Sequence, residues 1–383
     1  ARPVVGRSAL ERAALDPKRT VHSAKRLIGR SLVDLGEEVN SLAYRVVDAP
    51  DRAMALVDIG DRLLTPQEVS GLVLAACRRR AAQALGLPEA TLSRAVITVP
   101  AYFDDAQRQA TRDAARLAGL EVVRMINEPT AAAMAYGLNL RGAQRVAVFD
   151  LGGGTFDLSV LDLQDGVYRV LATRGDTRLG GDDFDRVIVE RMAAEIQKAI
   201  GQDVLADPGA RAALRMIAEG VKRQLSTAES AEFAYHAPAE GIAWRRSIGV
   251  IEFQNWIAPL VQRALDHCAR ALADAGLSKE QLDEVVLVGG STRVPLVRAA
   301  VRAWFGREPH DRLDPDQVVA LGAAVQAGVL GGKLQGTLLL DVTPLSLGIA
   351  TAEGGVAQLI SRNSPIPATA TDAFTTFVDG QTA

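Results

Sequence analysis

The sequence predicts an α/β protein built from two lobes. Three observations carry this. Apolar strands are followed by amphipathic helices: "LSRAVITVP" (92–100) runs into "DDAQRQATRDAARLAGL" (104–120), and "LDEVVLVGG" (282–290) into "PLVRAAVRAWFG" (295–306). That order builds sheets covered by helices. These two strand–helix units echo each other from opposite halves of the chain, which points to two related lobes. Between them, from Val146, the apolar period switches to two, as in an antiparallel meander.

Each element has a local reason. The first run is β-branched and stops at Pro100. The helix after it opens on acids and closes near Gly119, a capped pattern. "EVVRMI" reads as a short strand, and "NEPTAAAMAYGL" as a turn leading into a helix. "AVFDL" is a strand. Phe156, Leu158 and Val160 alternate with Asp157 and Ser159 in the next, and Asp165-Gly166 turns the chain into "VYRVLAT". Residues 184–200 and 209–225 read as amphipathic helices. Residues 231–257 read as a short β section, and "FQNWIAPLVQRALDHCARALADAGL" as a long helix ending at Gly276. "LDEVVLVGG" is a buried strand.

Composition narrows the function. Across 383 residues, 48% hydrophobic and 23% charged, the net charge is −3. This gives no general attraction to nucleic acid or to an acidic membrane. The two cysteines, Cys77 and Cys268, are far apart and the four histidines scattered, which fits a reducing cytoplasm and argues against a disulfide scaffold or a metal cluster. No apolar run reaches the roughly 18 residues of a membrane span.

Six stretches carry chemistry. In "VFDLGGGTFDLSV", Gly152, Gly153 and Gly154 let backbone N–H groups converge on phosphate oxygens, and Thr155 adds a hydroxyl. Asp150 and Asp157 flank the loop and suit Mg²⁺, held directly or through water. A strand follows the loop, and no G-x-x-x-x-G-K-[ST] occurs, so this is not a P-loop. The alternative is a plain glycine hairpin. In "LVGGSTRVP", Gly289, Gly290, Ser291 and Arg293 follow a strand end, where α/β sheets bind ligands. In "EGVKRQLS", Glu219, Lys222, Arg223 and Ser226 fall on one helix face, suited to a ribose and base, with Arg223 and Arg293 sandwiching an adenine. A solvated charged face is the plainer reading. Glu128 of "NEPT" suits orienting a water, and Lys25 of "AKRLIGR" a phosphate-directed cation. In "TLLLDVTPLSLGI" (337–349), three leucines stand where a polar linker is expected, either as a docking segment or as an ordinary buried strand.

Taken together, "AVITVPAYFDDAQRQAT", "INEPTAAAMAYGL", "FDLGGGTFDLSVL", "GDTRLGGDDFD", "LVGGSTRVPLV" and "LLLDVTPLSLGI" resemble the seventy-kilodalton heat-shock chaperones across essentially the whole chain. The resemblance implies the actin-like ATPase fold, ribonuclease-H-like lobes around a nucleotide cleft, followed by the start of a β-sandwich peptide-binding domain. Residues 1–336 would be the nucleotide-binding domain: lobe I to about 144, lobe II over 145–320, and a closing helix to 336. Residues 337–341 would be the interdomain linker and 342–383 the first strands of the peptide-binding domain. By the same resemblance, Lys25 and Glu128 position the hydrolytic water, Asp150 and Asp157 surround the metal's water shell, and Thr155 faces the γ-phosphate. Glu219, Lys222, Arg223, Ser226, Gly290 and Arg293 hold adenosine. Pro100, Arg108 and the linker residues Leu338, Leu339, Leu340 and Asp341 relay nucleotide state. The cofactors would be ATP or ADP with Mg²⁺, and K⁺ as an additional ion.

Within the family, "FTTFVDGQTA", "GRSLVDL", "YFDDAQRQ", "LGGDDFD" and "VGGSTRVPLVR" look closer to the HscA type, which serves iron–sulfur cluster assembly, than to the general DnaK type. This implies a cytoplasmic monomer partnered by a J-domain co-chaperone, with a client peptide on an iron–sulfur scaffold protein, and neither nucleic acid nor membrane. The family also carries a D-L-G-T-T phosphate hairpin, expected ahead of Ala1. Both ends read as cut, the last at a strand and Asp-Gly turn in "FTTFVDGQTA". An actin-fold small-molecule kinase and a nucleotide-binding filament protein are the other classes such a core would suit.

Overall fold

A computed structural model describes residues 3–50, 52–137, 144–238, 241–310, 313–334, 338–351 and 355–375. Helices of ten or more residues are numbered in chain order. The chain opens with short helical turns, one of them Ala24–Leu27, then an antiparallel sheet of β1 (Arg45–Ala49), β2 (Arg52–Asp58) and β3 (Leu63–Leu64). α1 (Pro66–Leu85) starts on a Thr65–Glu68 capping box and ends on left-handed Gly86. β4 (Arg94–Val99), α2 (Asp105–Leu117), β5 (Glu121–Asn127) and α3 (Glu128–Gly137) follow, and β4 and β5 pair in parallel.

The meander is β6 (Gln144–Leu151), β7 (Phe156–Gln164) and β8 (Val167–Asp176). Next come α4 (Gly181–Ile200), α5 (Pro208–Gln224), the hairpin β9 (Ser230–Ala237) and β10 (Ile242–Gly249), and α6 (Val250–Ala275). β11 (Glu284–Val288), α7 (Pro295–Phe305), α8 (Val318–Leu330), β12 (Leu338–Leu340), β13 (Leu347–Ala350) and β14 (Val356–Ile360) complete the described elements.

The central sheet has the order β11-β6-β7-β8-β12, with both outer strands parallel to their neighbours. Alternation along its strands decides where the site sits. Phe149, Leu151, Phe156, Leu158 and Val160 face a large apolar core shared with α4, α5, α6 and α7. Val146, Val148, Leu161 and Val288 face a second core with α3 and α8. Asp150 and Asp157 are register partners on that second face. They lie at the end of the sheet where α3 begins with Glu128.

Some local expectations need correction. "NEPT" is not a turn: β5 runs to Asn127 and α3 starts at Glu128 without an intervening loop. Residues 250–257 belong to α6, because the strand period ends at Gly249 and buried Phe253 and Ile257 begin a helical stripe. The leucines at 338–340 are not a fully buried strand, and they lie docked on the sheet. They form an edge strand on β8, with Leu338 and Leu340 exposed and Leu339 packed on the second core. In "FTTFVDGQTA", Phe374 and Thr375 are not in a strand, and 376–383 lie outside the described residues.

Candidate functional site

The loop between β6 and β7 is organised from its carbonyl side. The Gly152 carbonyl accepts from Gly181 N–H (2.9 Å) and from the Ser291 hydroxyl (2.8 Å). The Gly153 carbonyl accepts from Asp182 N–H (2.7 Å), and the Gly154 carbonyl from Arg26 Nε (3.0 Å). With these oxygens held by their neighbours, the N–H groups of Gly153, Gly154 and Thr155 donate to no described residue. Consecutive unengaged amides of this kind suit an anion. Close packing enforces the glycines around the loop. A Cβ on Gly180 would meet the Gly153 oxygen at 2.5 Å, and one on Gly289 the Leu151 oxygen at 2.4 Å. Gly289 also has φ +84°, where other residues are strained.

Three carboxylates and one amine gather beside the loop. Lys25 Nζ lies 2.7 Å from Glu128 Oε1. Its side chain is 46% exposed. Burial works against its charge, but Glu128, then Asp150 and Asp157, outweigh that and hold its pKa above the usual lysine value. Burial pushes Asp150 up to about 7, with Glu128 adding to the rise and Lys25 opposing it. Burial also raises Asp157 well above the carboxylate range, reinforced by Asp150 and Glu128, despite the Tyr102 N–H bonded to it at 3.1 Å. Two carboxylates facing each other across a strand pair destabilise the pair unless a cation joins them.

No group of three or more His, Cys, Asp or Glu among the described residues has the spacing to ligate a metal directly. The donors nevertheless fit a hydrated Mg²⁺: they are hard oxygens, buried, and short of positive charge. Thr155 is buried where the loop enters β7.

The nucleoside-facing candidates divide. Ser291 touches the loop itself through Gly152. Lys222 is drawn inward, donating to Asp185 Oδ2 (2.9 Å) and the Gly181 carbonyl (3.1 Å), so it backs the loop's neighbour. Arg223 is 70% exposed and paired with Glu219 at 2.6 Å. Ser226 bonds back to the Lys222 carbonyl (3.2 Å). Arg293 is held by Asp314 (2.6 Å) and Asp316 (3.1 Å), and Asp316 also borders Gly290. No bond among the described residues joins Arg223 to Arg293, so the two guanidiniums stand at separate anchors.

A polar chain links the neighbourhood of Asp157 to the edge strand. The Asp341 carboxylate accepts from Asn127 Nδ2 (2.8 Å), and Asn127 Oδ1 accepts from Arg108 (2.8 Å). Arg108 also donates to the carbonyls of Ala101 (3.1 Å) and Phe103 (3.0 Å). Those residues follow Pro100 and flank Tyr102, whose N–H holds Asp157. Sequence reasoning missed Asn127. Its place between a strand end and Glu128 was the available signal, masked by reading a turn there. It also missed Arg26 and Asp185.

His22 sits on the rim of a cavity of about 620 Å³ between residues 22–42 and the start of α4. Its ring meets Tyr44 edge-on at 5.3 Å, and its Nε2 is buried without a partner among the described residues. Burial, with Arg215 nearby, lowers its pKa to about 3 against the pull of Asp182. The folded value lies below the ordinary 6.5, so the unfolded chain takes up the proton first. This contribution to stability is complete above the ordinary value and is lost as the pH falls below it. Urea unfolding at pH 5 is expected to show a loss of about 2 kcal/mol relative to neutral pH. His22→Phe should remove that component. An equal acid loss in both proteins would clear His22 of the effect.

No helix among the described residues is long and apolar enough to cross a membrane. A family model described as "Hsp70 protein" matches residues 2–383. Two curated relatives, each named "Chaperone protein DnaK", come from two strains of Thermus thermophilus. Each is 46% identical over 386 residues, covering 99% of this chain and 62% of the relative. The chain thus spans less than two thirds of the length of these relatives. With a glycine loop stripped of free carbonyls, paired acids beneath it, and a family match from end to end, the chain belongs to the Hsp70 family and carries that family's actin-like ATPase fold.

Proposed function

We propose that this chain is the nucleotide-handling part of an ATP-dependent chaperone of the DnaK type. The observation that carries the reading is the Gly152–Thr155 loop, whose carbonyls are all bonded away while three successive N–H groups stand open. Those amides would take the phosphates, as oriented backbone dipoles do elsewhere. A bound hydrated Mg²⁺ would neutralise phosphate charge, with Asp150, Asp157 and Glu128 holding its waters. Lys25, fixed by Glu128, would orient the attacking water and meet charge developing on the γ-phosphate, with Thr155 beside it. Positioning and charge stabilisation are the main tools of such a phosphoryl transfer. Ser291, Gly289, Gly290, Arg293 and the α5 face of Glu219, Lys222, Arg223 and Ser226 would receive the nucleoside.

In this reading residues 1–336 form the nucleotide-binding domain, 337–341 the linker, and 342–383 the start of the peptide-binding domain. The Asp341–Asn127–Arg108 chain would connect linker docking to the acids. A J-domain co-chaperone and client peptides in the cytoplasm would be the partners. The general DnaK type is favoured over the iron–sulfur type. The curated relatives at 46% identity carry the DnaK name, whereas the HscA reading, with its scaffold-protein client, rests on five short stretches. The test is a thermal melt of the purified protein with Mg²⁺ and ADP or ATP, alongside phosphate release. A rise in Tm with both nucleotides is expected, since ligands that bind only the folded state stabilise it. An unchanged Tm with either nucleotide, together with no phosphate release, would overturn the proposal.

A further inference from the structure

We infer that Arg26 is a positioning residue that sets the geometry of the glycine loop. The inference rests on the nucleotide reading above and adds a residue to that site. Arg26 lies on the one-turn helix Ala24–Leu27, next to Lys25. The two side chains diverge: Lys25 reaches Glu128, while Arg26 crosses to the loop. Its Nε donates to the Gly154 carbonyl at 3.0 Å, and its Nη2 pairs with Asp183 at 2.5 Å. Both partners are well buried, the side chains 13% and 5% exposed, so the pair is shielded from solvent screening.

Asp183 is itself fixed, since its Oδ2 accepts from Gly180 N–H at 2.9 Å. Gly180 presses on the loop so closely that any Cβ would strike Gly153 and Gly154. Arg26 therefore closes a ring running from Gly154 through its guanidinium to Asp183, Gly180 and back to the loop. Of the three loop carbonyls, Gly153's is held by backbone alone, and Gly152's by backbone together with Ser291. Only Gly154 depends wholly on a side chain, and that side chain comes from across the cleft. With that bond lost, the Gly154 peptide is free to rotate, turning its oxygen toward the phosphates and the following Thr155 N–H away. Arg26 and Lys25 share one helical turn, so the groups that place the phosphates and the water are set by one short segment.

The test uses Arg26→Met and Arg26→Lys in the intact protein, with Arg178→Ala as control. Arg178 makes an ion pair across the same gap, to Glu38 at 2.6 Å, without touching the loop. Arg26→Met is expected to weaken ADP binding about tenfold or more, because small displacements of a positioned group have large effects. KM for ATP should rise more than kcat falls, since Lys25 and Glu128 are untouched. In nucleotide-free protein, amide exchange at Gly152, Gly181 and Asp182, whose N–H groups bond to the loop carbonyls, should be faster than in wild type. Arg26→Lys, which retains a charge for Asp183, should recover part of the affinity. Arg178→Ala should bind ADP within twofold of wild type. If Arg26→Met keeps loop exchange and ADP affinity within twofold of wild type, or if Arg178→Ala loses as much as Arg26→Met, the inference is wrong. A wild-type protein that binds no nucleotide at all would instead remove the functional reading beneath it.

Discussion

Lys25→Ala is expected to lower single-turnover ATP hydrolysis by about 10²- to 10³-fold, the usual effect of deleting a preorganised charge at a reacting centre. ADP affinity should change far less. The reason is the position of Lys25 among Glu128, Asp150 and Asp157, in the carboxylate group that holds its pKa above the usual value. Glu128 fixes the amine at 2.7 Å, so the charge is preorganised and need not be gathered during reaction. Removing it leaves three clustered carboxylates without their cation, and the raised pKa values of Asp150 and Asp157 should climb further. Glu128→Gln should be milder, because the amide still accepts a bond from Lys25. A Lys25→Ala protein hydrolysing within threefold of wild type would reduce the pair to a structural tie.

Gly322→Ala should destabilise the protein by more than about 3 kcal/mol, above the usual range for overpacking a core. A Cβ on Gly322 would lie 1.7 Å from the Ala131 carbonyl oxygen and 2.3 Å from its carbon. Neither backbone atom can rotate out of the way, so α8 and α3 must separate. α3 is suited to close approach and little else, with Ala131, Ala132, Ala133 and Ala135 all buried. Its first residue is Glu128, so the same separation should misplace the partner of Lys25. Urea unfolding with an activity assay checks both effects. Gly220→Ala makes the contrast, since nothing lies within 4 Å of a Cβ there. That change should stabilise α5 by about 0.4–1 kcal/mol. Equal stabilities for the two variants would contradict the packing account.

What could be read in advance followed from local chemistry. The β6–β7 hairpin was legible because Phe156, Leu158 and Val160 alternate with polar residues and because the glycines lie between two apolar runs. Asp150 and Asp157 were legible as loop-flanking acids, and their placement opposite each other follows from register. The α3 start was not legible. A strand that enters a helix without a loop leaves no turn residues, and Pro129 looked like punctuation although it occupies the first helical turn, where proline is tolerated. Arg26 was illegible for a different reason. Its partners Gly154 and Asp183 are remote in sequence, and an arginine beside a lysine reads as surface charge. The role of Leu338–Leu340 was open between a docking segment and a buried strand, because three leucines suit either, and the edge position on β8 is set by pairing that their own sequence does not encode.

The sheet order also bears on how the chain matures as it leaves the ribosome. β6, β7 and β8 are joined by tight hairpins and can pair as soon as they emerge. Their outer neighbours, β11 and β12, are made much later. Until β11 appears, the edge of β6 is open to foreign strands, and until Leu338–Leu340 arrives, so is the edge of β8. A nascent chain stalled before β11 should therefore be a sticky intermediate, needing the same kind of protection that its family gives to other proteins.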